Sequence, residues 1–121
     1  MGIHESGEMY LETIYKLSES GMQVRSIDVA AEMGFSKPSV SRAIGLLKAD
    51  GFIEVKLNGA LCLTKKGEEI ASGIYHRHKI ISDFLIKIGV DEKIAAEDAC
   101  RIEHVISEDA FEKLIEHVEK L

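Results

Sequence analysis

A mainly helical chain carrying one small β-hairpin is the predicted fold class, and three observations predict it. Apolar residues recur at helical rather than alternating spacing over most of the 121 residues. Residues 52–64 switch to short β-prone runs on either side of an Asn58-Gly59 pair, a dipeptide favoured in tight hairpin turns. Capping residues and glycines then punctuate the chain at spacings that suit short helices before and after that stretch.

The elements follow in order. In residues 5–17, Met9, Leu11, Ile14, Tyr15 and Leu17 mark a first helix, ended by 18–21. Ser26 is expected to cap a short helix over 27–33, stopped by Gly34. Ser36 caps the next, with Pro38 in its first turn, where a missing N–H does no harm, and Gly51 ends it after Asp50. Two strands, 52–57 and 60–64, are expected to meet at Asn58-Gly59. Thr64 caps a long helix over 65–88, closed by Gly89, and Asp91 opens another that runs to about Val105. Ser107, followed by Glu108 and Asp109 at the positive end, caps the last helix.

Composition narrows the function classes. A 45% hydrophobic content is enough for a packed core, and 30% charged residues suit a soluble surface. No run approaches the roughly 18 apolar residues that cross a bilayer, and the first nine residues lack a signal-peptide core, so no membrane partner is expected. Two cysteines, Cys62 and Cys100, are too few for a disulfide framework and point to the cytoplasm. The net charge of −6 hides a contrast between segments. Residues 22–67 hold seven basic against four acidic groups, net +3, whereas 1–21 are at −3 and 68–121 at −6. The middle third is the face suited to phosphate, and the acidic flanks suit something cationic.

Two helices joined by a tight turn and followed by a hairpin form a winged helix-turn-helix. Ile27, Val29, Ala30, Met33, Val40, Ala43, Ile44 and Leu47 are expected to pack its two helices together. The second helix would then present Ser36, Lys37, Pro38, Ser39 and Arg42 to base edges or phosphates of double-stranded DNA. Arg25, Lys56, Lys65 and Lys66 would reach the backbone on either side.

A second constellation lies near the C-terminal end. Cys100, Glu103 and His104 stand at i, i+3 and i+4, on one helical face, and thiolate, carboxylate and imidazole all ligate first-row metals. Met9 and Glu12 form a shorter patch on the first helix, and His78 lies on the long one. Spacing alone leaves ordinary alternatives open: a core cysteine, a surface ion pair, solvated histidines and a packing methionine.

The strings Glu8-Met-Tyr-Leu-Glu-Thr-Ile-Tyr15, Ser36-Lys-Pro-Ser-Val-Ser41, Leu63-Thr-Lys-Lys-Gly67 and Glu97-Asp-Ala-Cys-Arg-Ile-Glu-His-Val-Ile-Ser107 resemble the diphtheria toxin repressor family of iron- and manganese-dependent repressors, in order and over nearly the whole chain. The resemblance implies that Met9, Cys100, Glu103 and His104 form an activating metal site. It implies that His78 serves a second or shared binuclear site, and that Glu12 is a ligand as in manganese-type members. Three positions depart from the pattern: Ser82 where many members carry Glu, Ala96 where iron-type members carry His, and Asn58 where a wing Arg is common. The end at Leu121 leads to the expectation of a short form without the C-terminal barrel domain.

The resulting expectation is a metal-dependent repressor controlling metal homeostasis genes. Residues 1–64 form its DNA-binding domain and 65–121 a helical metal-binding and dimerisation domain. A homodimer, built through the long and final helices, would meet a palindromic operator. Fe(II) is preferred over Mn(II) because Cys100 and Met9 are soft, with Zn(II), Co(II) or Ni(II) binding in vitro. The alternative is a metal-independent winged-helix regulator answering to a small organic effector. No arrangement of an enzyme stands out, no small-molecule substrate is expected, and Cys62 is taken as structural.

Overall fold

The computed structural model describes residues 5–118 and 120. Its elements are α1 (Glu5–Glu19), α2 (Ser26–Met33), α3 (Lys37–Ala49), β1 (Ile53–Val55), β2 (Leu61–Leu63), α4 (Lys65–Lys87), α5 (Glu92–Ile102) and α6 (Glu108–Val118). Two compact units result, Met1–Ser72 and Gly73–Leu121. No helix among the described residues is long and apolar enough to cross a membrane.

In the first unit, local chemistry sets the turn between α2 and α3. Gly34 takes φ +70°, and its N–H donates to the Ala30 carbonyl at 2.9 Å, ending α2 in the left-handed conformation that glycine adopts freely. Ser36 caps α3, its Oγ accepting from the Ser39 N–H at 3.3 Å, with Pro38 in the first turn. At α2 the cap sits one residue earlier than expected. Arg25 is the N-cap, and the Asp28 carboxylate accepts its backbone N–H at 2.9 Å, while Ser26 is already helical. Leu11, Ile14, Val24, Val29, Val40, Ile44, Leu47, Phe52, Ile53 and Leu61 build the core. Ile27 does not join it and is 55% exposed. It stands about 200° round α2 from the buried Val29, so burying one exposes the other.

The hairpin differs from its sequence expectation. The strands pair Ile53 with Leu63, Glu54 with Cys62 and Val55 with Leu61, and Lys56 N–H then donates to the Ala60 carbonyl at 2.9 Å. Three residues, Leu57-Asn58-Gly59, therefore form the loop, rather than Asn58-Gly59 alone. A two-residue turn of that type needs positive φ at Asn58, and among the described residues only glycines have positive φ. Gly59, at φ +86°, instead closes a three-residue loop. Its N–H donates to the Lys56 carbonyl at 2.9 Å, and the Asn58 side chain accepts from Ala60 N–H at 3.0 Å. Leu61 N–H donates to Val24 O at 2.7 Å, pinning β2 to the segment before α2.

The start of α4 is built onto the end of α3. Thr64 caps α4 by accepting the Gly67 N–H at 3.2 Å, while its hydroxyl donates to Gly51 O at 2.7 Å. Lys66 donates to Asp50 O at 3.2 Å and lies 4.4 Å over the Phe52 ring.

In the second unit, Ile81, Ala99 and Phe111 are buried among Ile80, Leu85, Ile102, Ile106 and Leu114. Asp91 caps α5 by accepting the Lys93 N–H at 3.1 Å, and Ser107 caps α6 by accepting the Ala110 N–H at 3.1 Å. Lys87 donates to Val118 O at 3.4 Å, satisfying a carbonyl at the end of α6. The expected helix to about Val105 stops at Ile102, and the turn that follows is tightened by the Val105 N–H donating to the Ile102 carbonyl, an i to i−3 bond, at 3.0 Å.

Two glycines should respond oppositely to alanine. A Cβ on Gly67 would run into the Phe52 carbonyl, whereas one on Gly45, inside α3, meets nothing within 4 Å. Gly67→Ala should lower unfolding free energy by about 1–3 kcal/mol through overpacking. Gly45→Ala should raise it by about 0.4–1 kcal/mol through lost unfolded-state entropy. Denaturant titration of both variants checks the pair of signs.

Candidate nucleic-acid interface and metal centre

Ser36, Lys37, Pro38, Ser39 and Arg42 are all exposed at the N-terminal end of α3, and Lys56 is exposed next to the wing loop. The end of α3 is electrostatically bare. Its first turn holds no acidic residue, whereas those of α2, α4, α5 and α6 each hold at least one. The positive end of the α3 dipole is thus not neutralised by its own side chains, a condition that favours an approaching phosphate. Not every expected contact is equally available. The Ser36 hydroxyl is taken up in capping and donates to Ser39 Oγ at 2.9 Å. The Arg25 guanidinium donates from Nη1 to the Asn58 carbonyl in the wing loop. Lys66 is committed to the end of α3, while Lys65 stays exposed.

The metal candidates divide between the units. Met9 and Glu12 lie on α1, Met9 half-buried and Glu12 only 3% exposed, with Lys16 Nζ 3.7 Å from its Oε2. His78, Cys100, Glu103 and His104 belong to the second unit, where three come together. Glu103 is fully buried. His78 Nδ1 lies 3.0 Å from its Oε2, and His104 Nε2 lies 3.3 Å from its Oε1. Cys100 is half-buried, one helical turn before Glu103.

Helix α5 and its end explain this placement. Glu103 caps α5 in a helical conformation, φ −57° and ψ −26°, and still donates its N–H to Ala99 O at 2.9 Å. It therefore keeps the expected i, i+3 relation to Cys100, although the helix ends before it. His104 sits in the following turn. An ionised carboxylate buried to this depth costs several kcal/mol unless something offsets its charge. Imidazole nitrogens stand beside both of its oxygens. A dication offsets such a charge, and both imidazoles can offer it nitrogen lone pairs. Donors about 2.0–2.2 Å from one ion lie roughly 3 Å apart, and each imidazole nitrogen stands about that far from one carboxylate oxygen. The donor set fits a first-row divalent metal.

One residue of this centre went unnoticed in the sequence. Arg77 donates from Nη2 to Ile106 O at 2.6 Å and lies 5.1 Å over the Phe111 ring. It thereby anchors the link between α5 and α6, just beyond Glu103 and His104, to the helix that carries His78. A single arginine between two histidines has no spacing signal that would reveal this.

Comparison with known proteins places both segments. Residues 3–61 match the model described as iron dependent repressor, N-terminal DNA binding domain. Residues 64–121 match that of the iron dependent repressor, metal binding and dimerisation domain. The chain is similar to the iron-dependent repressor IdeR of Mycobacterium leprae, 36% identical over 112 residues, which are 92% of this chain and 49% of that relative. It is also similar to the transcriptional regulator MntR of Escherichia coli, 35% identical over 103 residues, covering 85% of this chain and 66% of that one. The solved structure of the manganese regulator SloR superposes with a TM-score of 0.83 at 29% identity, over 100% of this chain and 56% of that one. The chain thus spans about half the length of IdeR, at 49%.

Replacing Arg77 by Met keeps most of the side chain's length and removes its bond to Ile106 O. The unsatisfied carbonyl should cost about 1–3 kcal/mol of stability. Thermal and denaturant unfolding measure it, and an unchanged midpoint would show that the anchor carries no weight.

Proposed function

We propose that this chain, which belongs to the iron-dependent repressor family through both of its segments, is a metal-activated transcriptional repressor. In this role residues 1–64 bind operator DNA, and residues 65–121 bind the metal and dimerise. The observation that carries the proposal is the buried Glu103 carboxylate between His78 and His104, within the segment that matches a metal-binding and dimerisation domain. The alternative of an organic effector is not favoured, since both segments match a metal-dependent family.

His78, Glu103 and His104 would hold the ion, with Cys100 as a thiolate donor. Met9 and Glu12 are proposed as further ligands, supported by the family resemblance and by their i, i+3 spacing on α1. When bound, a dication offsets the charge of an ionised Glu103 and ties several side chains to one point. Protons compete with the ion for the imidazole nitrogens, so binding weakens in acid. Fe(II) is proposed over Mn(II) on the softness of the Cys100 thiolate. Homodimerisation is supported by apolar side chains left exposed on the second unit, among them Ile88 at 53%, Ile94 at 51% and Val105 at 69%. Two copies would present two α3 helices to a palindromic operator in the cytoplasm.

The decisive experiment measures binding to a randomised DNA duplex pool with Fe(II) under anaerobic conditions, with Mn(II), and with chelator. Metal should tighten binding by about 5–150-fold, and equal affinity in chelator would overturn the switch. Glu103→Gln and His104→Ala should each abolish the metal response while leaving weak, salt-dependent attraction to DNA. Cys100→Ser should shift preference from Fe(II) towards Mn(II), read by competition between the two ions. Met9→Ala and Glu12→Gln should each lower metal affinity, and no change in either would remove α1 from the site.

A further inference from the structure

The outward face of α3 is unlike the rest of the basic middle segment. Val40, Ile44 and Leu47 are buried, and the line directly opposite them runs through Pro38, Arg42, Gly45 and Ala49, all exposed. Arg42 is the sole long side chain on that line. Its neighbours one turn away are Pro38, Ser39, Gly45 and Leu46, none of which is acidic. Among the described residues no hydrogen bond or ion pair engages its guanidinium. Other cations of this unit are spent internally, Arg25 on the wing carbonyl of Asn58 and Lys66 on Asp50 O. Lys37, Ser41 and Lys48 lie together along one flank of α3. That flank suits phosphates at the rim of a groove, and it leaves the centre of the face to Arg42.

Gly45 sharpens the point. A glycine inside a helix costs about 0.5–1 kcal/mol relative to alanine. Here a Cβ would meet nothing within 4 Å, so the chain's own packing does not require the gap. Along the outward line Pro38 and Gly45 stand on either side of Arg42, and both are small enough to let a long planar fork reach past them.

We propose that Arg42 is the base-specifying residue of the operator contact, its guanidinium donating to O6 and N7 of a guanine in each half-site, a proposal that rests on the DNA-binding role given above. Arginine matches that pair of acceptors in geometry, and such a contact distinguishes bases about tenfold or more.

The test is selection from a randomised duplex pool by the metal-loaded protein, with wild type, Arg42→Ala and Arg42→Gln side by side. The wild type should enrich a motif with a fixed guanine in each half-site, and replacing that guanine by adenine should weaken binding about tenfold or more. Arg42→Ala should lose the preference at that position alone and keep the others. Arg42→Gln should move it towards adenine, a change that no loss of folding or of general attraction produces. If Arg42→Ala enriches the same motif with the same guanine, or weakens all sequences by one common factor, Arg42 is a phosphate contact and the proposal is overturned. A wild type that enriches no motif overturns the DNA-binding role itself, and this proposal with it.

Discussion

A carboxyl group removed wholly from water is costly unless a proton or facing positive charge offsets it, and the second unit holds such a group at Glu103. The end of α5 delivers the side chain inward, still in helical geometry, and α4 and the next residue each bring an imidazole to it. A divalent ion held there, as proposed, would make those donors share one centre and so couple their positions. Much of the surrounding packing serves to hold those donors still. Arg77 fastens the chain just past His104, and Phe111 closes the core beneath it.

The first unit solves a different problem, that of presenting one helix end rigidly. Its tight turn depends on Gly34 and the Ser36 cap, and its wing on Gly59. The wing is also tied back at two places, by Leu61 N–H on Val24 O and by Arg25 on Asn58 O. A residue that looked like a phosphate contact thus spends part of its guanidinium on internal order. Fixing the wing before any partner arrives reduces the ordering cost of binding.

Gly45 in α3 and Gly67 in α4 show opposite uses of the missing side chain. At Gly67 the absent Cβ admits the backbone of Phe52, an internal contact that sets how α4 leaves the hairpin. At Gly45 it admits nothing of the chain itself, and the space faces outward. The first choice contributes to stability and the second sacrifices some, as exposed functional surfaces commonly do.

Much of this protein was legible in the amino-acid order, because helix periods, caps and glycine stops are local signals. Ser36, Pro38, Gly34, Thr64, Asp91 and Ser107 all act where their chemistry indicated. So did the i, i+3 relation of Cys100 and Glu103, which is a property of one helix. Tertiary structure alone decided the remainder. That α5 ends at Ile102, that Asn58-Gly59 closes a three-residue loop, and that Ile27 faces outward each depend on what the neighbouring segments leave to bury or bond. The pairing of His78 with Glu103 joins residues far apart in the chain. No periodicity reports such a contact, since it exists only once α4 and α5 have packed and shut water away from the carboxylate.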